Sequence, residues 1–243
     1  FASNKDLRNP GQPLHTNFKL TTDGEYLALV QPDGLTIASE YRPEFPQQTP
    51  DISFGLRPDT TNMVLVGADS TCRASVPEDG SWGQTWTQVA FADSASISGQ
   101  QGVGYEVSPT GYLALIRTSL PEETTGAYVR LSFDLSDPVV VEALVLSMKY
   151  DDGFVAYLNG TKVSQANVLG TPTWDSFAIQ DRPNAQVLEW VEFNLSDYTN
   201  LLVAGENVLA VHALNFDAGG VDSDCLLVAK LEGFRYATGA SDE

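Results

Sequence analysis

The chain has 243 residues, is 42% hydrophobic and 10% aromatic, and has a formal charge of −19 from 13 basic and 32 acidic residues. That apolar content excludes a disordered chain, and the length allows one large β domain or two small ones. The charge excludes nucleic acid as a partner, because an acidic surface repels phosphate backbones.

No apolar run approaches the roughly 20 residues that span a bilayer, so no membrane insertion is expected. The chain opens on "FASNKDLRNP" with no signal peptide, and reads as a mature chain or a fragment of a secreted or cell-surface protein. Cys72 and Cys225 are the two cysteines, and neither has the C-x-x-C spacing of a zinc or thioredoxin-type site.

In chain order, "TTDGEYLALVQPDGLTIASE" predicts a hairpin of Tyr26 to Val30 and Thr36 to Ser39 around a Pro32-Asp33-Gly34 turn. Four prolines between Arg42 and Asp51 then predict a linker, since proline cannot donate to a ladder. From Thr61 the predicted strands are Met63 to Val66, Arg73 to Val76, Gln88 to Phe91, Tyr112 to Arg117 and Ala127 to Asp134. They continue with Val139 to Lys149, Gly153 to Leu158, Val187 to Asn194, Asn207 to Asn215 and Cys225 to Tyr236. One helical turn is placed between Leu195 and Asn207, ended by Gly205. In "YDDGFVAYLNG" Phe154, Ala156 and Leu158 share one face, Val155 and Tyr157 the other, and Asn159-Gly160 marks a tight hairpin turn. Many short strands without helical periodicity predict an all-β fold, a β-sandwich or jelly roll. The domains are drawn as 1–60, a partial β region with a proline-rich linker, and 61–243, the sandwich.

Two stretches carry a family resemblance. "DDGFVAYLNGTKV" followed by "EWVEFNLSDYTNLLVAGENVLAVHALN" resembles the galactose-binding-like jelly roll, including the sugar-binding domain of family 2 glycoside hydrolases. Asn159-Gly160, Leu195, Ser196, Asp197, Leu202, Gly205, Asn207, Leu209, Ala210 and Val211 carry the match. Upstream, Trp86, Phe91, Asp93, Ser94, Gly99, Gly102, Gly104 and Tyr105 fit the opening of the same modules, with Ile97 near the place of a second tryptophan. The match spans roughly residues 64 to 236. The first 60 residues or so resemble the C-terminal half of a bacterial lamin-tail domain, an immunoglobulin-like sandwich. Half a sandwich exposes strand edges, so those strands dock on the second domain, are completed by another chain, or belong to a truncated piece.

The resemblance implies a non-catalytic extracellular module that binds a polysaccharide or glycan. The alternative is a structural or assembly module completed by strand addition. Trp174, in the polar loop "LGTPTWDSFAIQDRPN", is the leading sugar-stacking candidate, or else an indole that pins its loop to the core. Tyr150, Asp151 and Asp152 are drawn on the same rim, with Asp151 equally a turn cap at the strand start. Trp86 is expected in the core and Trp190 on a sheet face. Asp217, Asp222 and Asp224 in "NFDAGGVDSDC" are candidate ligands for a structural calcium, or a chance cluster in an acidic chain. His212 faces a pocket or is a satisfied strand histidine. No G-x-S-x-G, H-E-x-x-H or complete P-loop is present, and the chain is expected not to be an enzyme. Cys72 stands near the start of the second region and Cys225 opens its last strand. Their pairing is expected, because jelly rolls set first and last strands side by side, and it would contribute about 4 to 5 kcal/mol.

Overall fold

The computed structural model describes residues 5–9, 12–13, 15–47, 60–107, 111–217 and 223–236. The chain divides into two compact units, Phe1–Arg57 and Pro58–Glu243. In the first, β1 (Leu27–Val30) pairs antiparallel with β2 (Ile37–Tyr41). Their turn forms because the Asp33 carboxylate accepts the amides of Leu35 and Thr36, each at 2.9 Å, while Gly34 takes φ +74°.

The second unit is a β-sandwich. Its strands are β3 (Thr60–Val66), β4 (Thr71–Ser75), β5 (Ile97–Gln100), β6 (Val103–Glu106), β7 (Thr118–Ser119), β8 (Gly126–Leu135) and β9 (Ala143–Asp151), then β10 (Gly153–Leu158), β11 (Thr161–Ala166), β12 (Val191–Asn194), β13 (Gly205–Leu214) and β14 (Asp224–Tyr236). One sheet runs β11-β10-β13-β8-β4-β5, and the other β12-β9-β14-β6-β7 with β3 also on β14. Alternation decides what lies between them. Phe154, Ala156 and Leu158 join Val129, Leu131, Leu209, Val211, Leu146 and Leu231 in the central core. Val155 and Tyr157 point to the opposite face of the first sheet, into a second cluster with Trp86, Tyr128, Ala210 and Leu214. Both sets are buried, so this sheet is covered on both faces. Trp86 is a core side chain, as its sequence context implies.

The Asn159-Gly160 turn joins β10 to β11 with φ +48° and +90°, the left-handed pair that the dipeptide predicts. Asn159 does more than turn the chain. Its amide donates to Leu201 O at 2.9 Å and Asn207 Oδ1 at 2.8 Å, and its Oδ1 accepts from Val208 N at 2.8 Å. Asn207 is fully buried and in turn holds Val203 N and the carbonyls of Val203 and Gly205. The "LNG" and "GEN" segments are thus one hydrogen-bonded unit, closing over a 3-10 turn at Ser196–Leu201.

Strand β14 is the spine of the second sheet. It pairs with β9 along one edge, and with β6 and then β3 along the other. Between those two partners the backbone at Ala229 meets no strand. Gln101 fills the gap: its Oε1 accepts from Ala229 N at 2.7 Å, and its Nε2 donates to Ala229 O at 2.8 Å and to Gly67 O. A buried side-chain amide stands in for a missing ladder residue.

Several sequence expectations are corrected. Gln88 to Phe91 and Tyr112 to Arg117 are turns, not strands. Their apolar residues cover the outer faces of the two sheets: Phe91 packs on the Trp86 cluster, and Tyr112, Leu115 and Ile116 on Leu226 and Val228. Val187 to Asn194 splits into a short helix, Asn184–Val187, and β12. Strands β5, β6, β7 and β11 were not predicted. In β6 this is because Gly104 carries no strand-forming side chain: a Cβ there would lie 1.9 Å from Cys225 O. The Cys72–Cys225 disulfide is not formed; both are buried thiols, and burial pushes the Cys72 thiol up. They sit on β4 and β14, strands of different sheets, so the side-by-side placement expected of first and last strands is not the one found.

Two outcomes are expected. Gln101→Ala leaves buried backbone groups at Ala229 unpaired and lowers unfolding free energy by about 2 to 3 kcal/mol in urea titration. His212 is buried against Tyr128, its Nε2 lacks a hydrogen-bond partner among the described residues, and burial lowers its pKa from 6.5 to about 4. Its folded form therefore stays neutral where the unfolded form charges. Stability falls as pH drops from about 6.5 toward 4, by up to about 3 kcal/mol, and that part of the pH dependence vanishes in His212→Gln.

Candidate functional site

The outer face of the first sheet is floored by aromatics. Trp86 stacks on Tyr128 at 4.0 Å and 4°, Tyr157 meets Trp86 edge-on at 5.7 Å, and Trp82 meets Phe91 edge-on at 5.1 Å. Tyr128 stands outward on β8 between Ala127 and Val129, which face the core. Burial, and then the nearby Tyr157 and Asp175, push its phenol up to about 12, so its hydroxyl stays protonated. Gln84 hydrogen-bonds Tyr157.

Trp174 lies against this floor, half-buried, at the tip of a turn. Ser176 N donates to Thr173 O at 3.1 Å, Thr173 N to Ser176 Oγ at 2.9 Å, and Thr173 Oγ1 to Asp175 Oδ1 at 2.7 Å. The indole crosses Gly80 so closely that a Cβ there would lie 3.1 Å from its Cδ1. Beside it opens a cleft of about 220 Å³, lined by Trp174, Tyr128, Gln84, Thr171, Thr173 and Gly80. A tryptophan, a tyrosine, a glutamine and two threonines therefore line one small opening.

The other three candidates are not on this rim. Tyr150 turns into the central core, edge-on to Phe154 at 4.9 Å, with the Arg182 guanidinium 4.2 Å over its ring. Asp151 is 3% exposed on β9. Asp152 is 0% exposed, and its carboxylate accepts Arg182 N at 2.7 Å and Phe216 N at 2.8 Å. Its carbonyl accepts from Asn167 Nδ2 at 3.2 Å. Ile179 N returns to Asn167 O at 3.0 Å, and Ala178 N to Asn215 O at 2.9 Å. Asp152 is thus the anchor for both ends of the 167–182 loop, whose tip carries Trp174. It serves the candidate site from inside rather than lining it.

Asp217 is exposed, Asp224 is buried with its carboxylate 3.5 Å from Asn184 Nδ2, and Asp222 lies outside the described residues. Among the described residues no group of three His, Cys, Asp or Glu side chains stands together as a metal site. Trp190 is 37% exposed, with Lys230 Nζ 4.1 Å and Lys149 Nζ 5.2 Å over its ring. Tyr128, Gln84 and Gly80 were missed as cleft residues. The pattern of an aromatic at an outward strand position, with glycines flanking Trp82 in "DGSWGQTW", was the available sign.

No family model and no curated protein matches the chain. Solved structures are similar to part of it. A β-glucuronidase 2 of Bacteroides uniformis, covalently bound to cyclophellitol-6-carboxylate aziridine, shares 14% identity over 72% of this chain and 18% of its own, at a TM-score of 0.44. A β-glucuronidase of an uncultured Clostridium sp. shares 12% over 75% of this chain and 31% of its own, at 0.43. A glycosyl hydrolase family 2 member of Bacteroides cellulosilyticus DSM 14838 shares 11% over 71% and 20%, at 0.42. The chain thus spans less than a third of each of these proteins.

Asp152→Ala is expected to leave the half-buried Arg182 amide without its acceptor, and Phe216 N with Asn215 Oδ1 alone, and to cost about 1 to 3 kcal/mol. In hydrogen exchange, protection should fall first at Arg182 and Phe216 and along the Trp174 loop. Exchange that rises uniformly across the sandwich would remove the loop-anchor role.

Proposed function

We propose that the chain is a non-catalytic carbohydrate-binding module of a larger extracellular or surface protein, with its ligand at the Trp174 cleft. The supporting observation is the half-buried indole on a rigid turn, set beside Tyr128, Gln84, Thr171 and Thr173. Sugar rings offer an apolar C–H face for an aromatic side chain and hydroxyls for fixed polar groups. The cleft, about 220 Å³, is below the roughly 300–1,000 Å³ of drug-sized sites, which suits a single ring of a chain that continues into solvent. The galactose-binding-like resemblance of residues 64 to 236 favours the same assignment. A structural calcium held by Asp217, Asp222 and Asp224 belongs to this proposal as well.

A second function is favoured by one observation in the first unit. Its two-stranded sheet leaves Leu29, Val30 and Ile37 exposed, its turn leaves Leu35 exposed, and an isolated two-stranded hairpin is marginal in water. The lamin-tail resemblance and an assembly role, with another chain adding a strand there, would account for this.

The test is a thermal melt of the whole chain with soluble polysaccharides, with calcium and with EDTA. A ligand that binds only the folded state raises the midpoint by mass action. A glycan-dependent rise that disappears in Trp174→Ala, while the unliganded midpoint moves little, is the expected outcome. No response to any glycan, with sedimentation showing concentration-dependent association, selects the assembly role. Equal midpoints in calcium and EDTA remove the calcium.

A further inference from the structure

A second groove on the outer face of the first sheet has a different chemistry. Strands β4 and β8 place Arg73 and Arg130 directly opposite each other. Like charges at such a position repel. One carboxylate answers both: Asp93 lies 2.9 Å from Arg130 Nε and 4.0 Å from Arg73 Nε. Arg130 is structural. Its side chain is 5% exposed, and its Nη1 donates to the carbonyls of Trp86 and Gln88, tying the aromatic segment to the sheet. Arg73 is different. Its side chain is 41% exposed, and the long Asp93 pair is its one ion pair among the described residues. A chain with 13 basic and 32 acidic residues spends two arginines on adjacent positions and neutralises them with one shared acid.

Both arginines line a groove of about 440 Å³. Ser98, opposite Arg73 on β5, and Ser132, two residues beyond Arg130 on β8, add hydroxyls, and the exposed Glu206 lies at its side. A guanidinium presents paired N–H donors that match a carboxylate. Glu206 accepts only, so it repels a bare polyanion and favours a ligand that also brings hydrogen-bond donors.

We propose that this groove binds a small hydroxylated carboxylate, its carboxylate on the Arg73 guanidinium and its hydroxyls on Glu206, Ser98 and Ser132. The site is separate from the Trp174 cleft and does not depend on the function assigned there.

The experiment is calorimetric titration of the whole chain with sodium gluconate, with sorbitol as its uncharged counterpart and sodium sulfate as a bare anion, all at matched ionic strength. Gluconate is expected to bind saturably, with sorbitol and sulfate each about tenfold weaker or more. Arg73→Gln should lower gluconate affinity about tenfold or more, Glu206→Gln should lower it less, and Trp174→Ala should leave it unchanged. Arg73 is exposed enough that its variant should melt at the wild-type temperature, which a dichroism melt checks. Failure to bind gluconate, equal binding of sorbitol, or full affinity in Arg73→Gln overturns the site. Sulfate binding as tightly as gluconate, unaffected by Glu206→Gln, reduces it to a bare anion contact and overturns the hydroxyl assignment.

Discussion

Around β10 and β13 the first sheet of the sandwich is buried on both faces. Every residue of β10 is buried, as is β13 from Asn207 onward. One face is satisfied by the opposing sheet. The other must find a cover or expose Val155, Tyr157, Ala210 and Leu214 to water, at about 1.5 to 3 kcal/mol for each large side chain. The cover comes from connections rather than a third sheet: the Trp82–Phe91 segment and the 167–182 loop fold back onto it. The rest of the outer architecture follows from that requirement.

Loops that cover a sheet bring backbone amides and carbonyls out of water, and each needs a partner. The fold supplies them from a few buried polar side chains. Asp152 takes the amide of Arg182 at one end of the Trp174 loop and that of Phe216 beyond β13, and its carbonyl takes the Asn167 side chain at the other end of the loop. Arg130 takes two carbonyls of the aromatic segment. Gln101 completes the edge of β14, and Asn159 and Asn207 knit the hairpin to the strand beside it. These residues are chemically suited to ligands, and in this fold they are occupied with structure.

The openings lie where the cover ends. One side presents an indole and neutral hydrogen-bonding groups around Trp174. Beyond Phe91 the sheet itself is the floor, and its outward side chains are charged and hydroxylated. The same sheet thus offers two surfaces of different chemistry, each bordered by the segments that cover it.

Much of the strand layout was legible in the sequence. Alternation separates Phe154, Ala156 and Leu158 from Val155 and Tyr157, and Asn-Gly dictates a left-handed turn; both signals are local, set by the pleat and by φ. Gln88 to Phe91 and Tyr112 to Arg117 were read as strands because an apolar run looks the same whether it pairs in a sheet or lies across one. Trp174 stands out in the sequence as a tryptophan in a polar loop, and the structure sets it half-buried beside a cleft; Asp152 lies inside instead of on that rim, because sequence shows that a carboxylate is present, not whether its acceptors are already filled. The cysteines fell in opposite sheets for the same kind of reason. Strand order, which no single segment carries, set that separation and also placed Arg73 against Arg130 across 57 residues of chain. The sequence by itself determined the local conformations and which faces are apolar. The tertiary structure alone decided which faces meet, and therefore which polar groups are consumed in holding the fold and which remain open to a ligand.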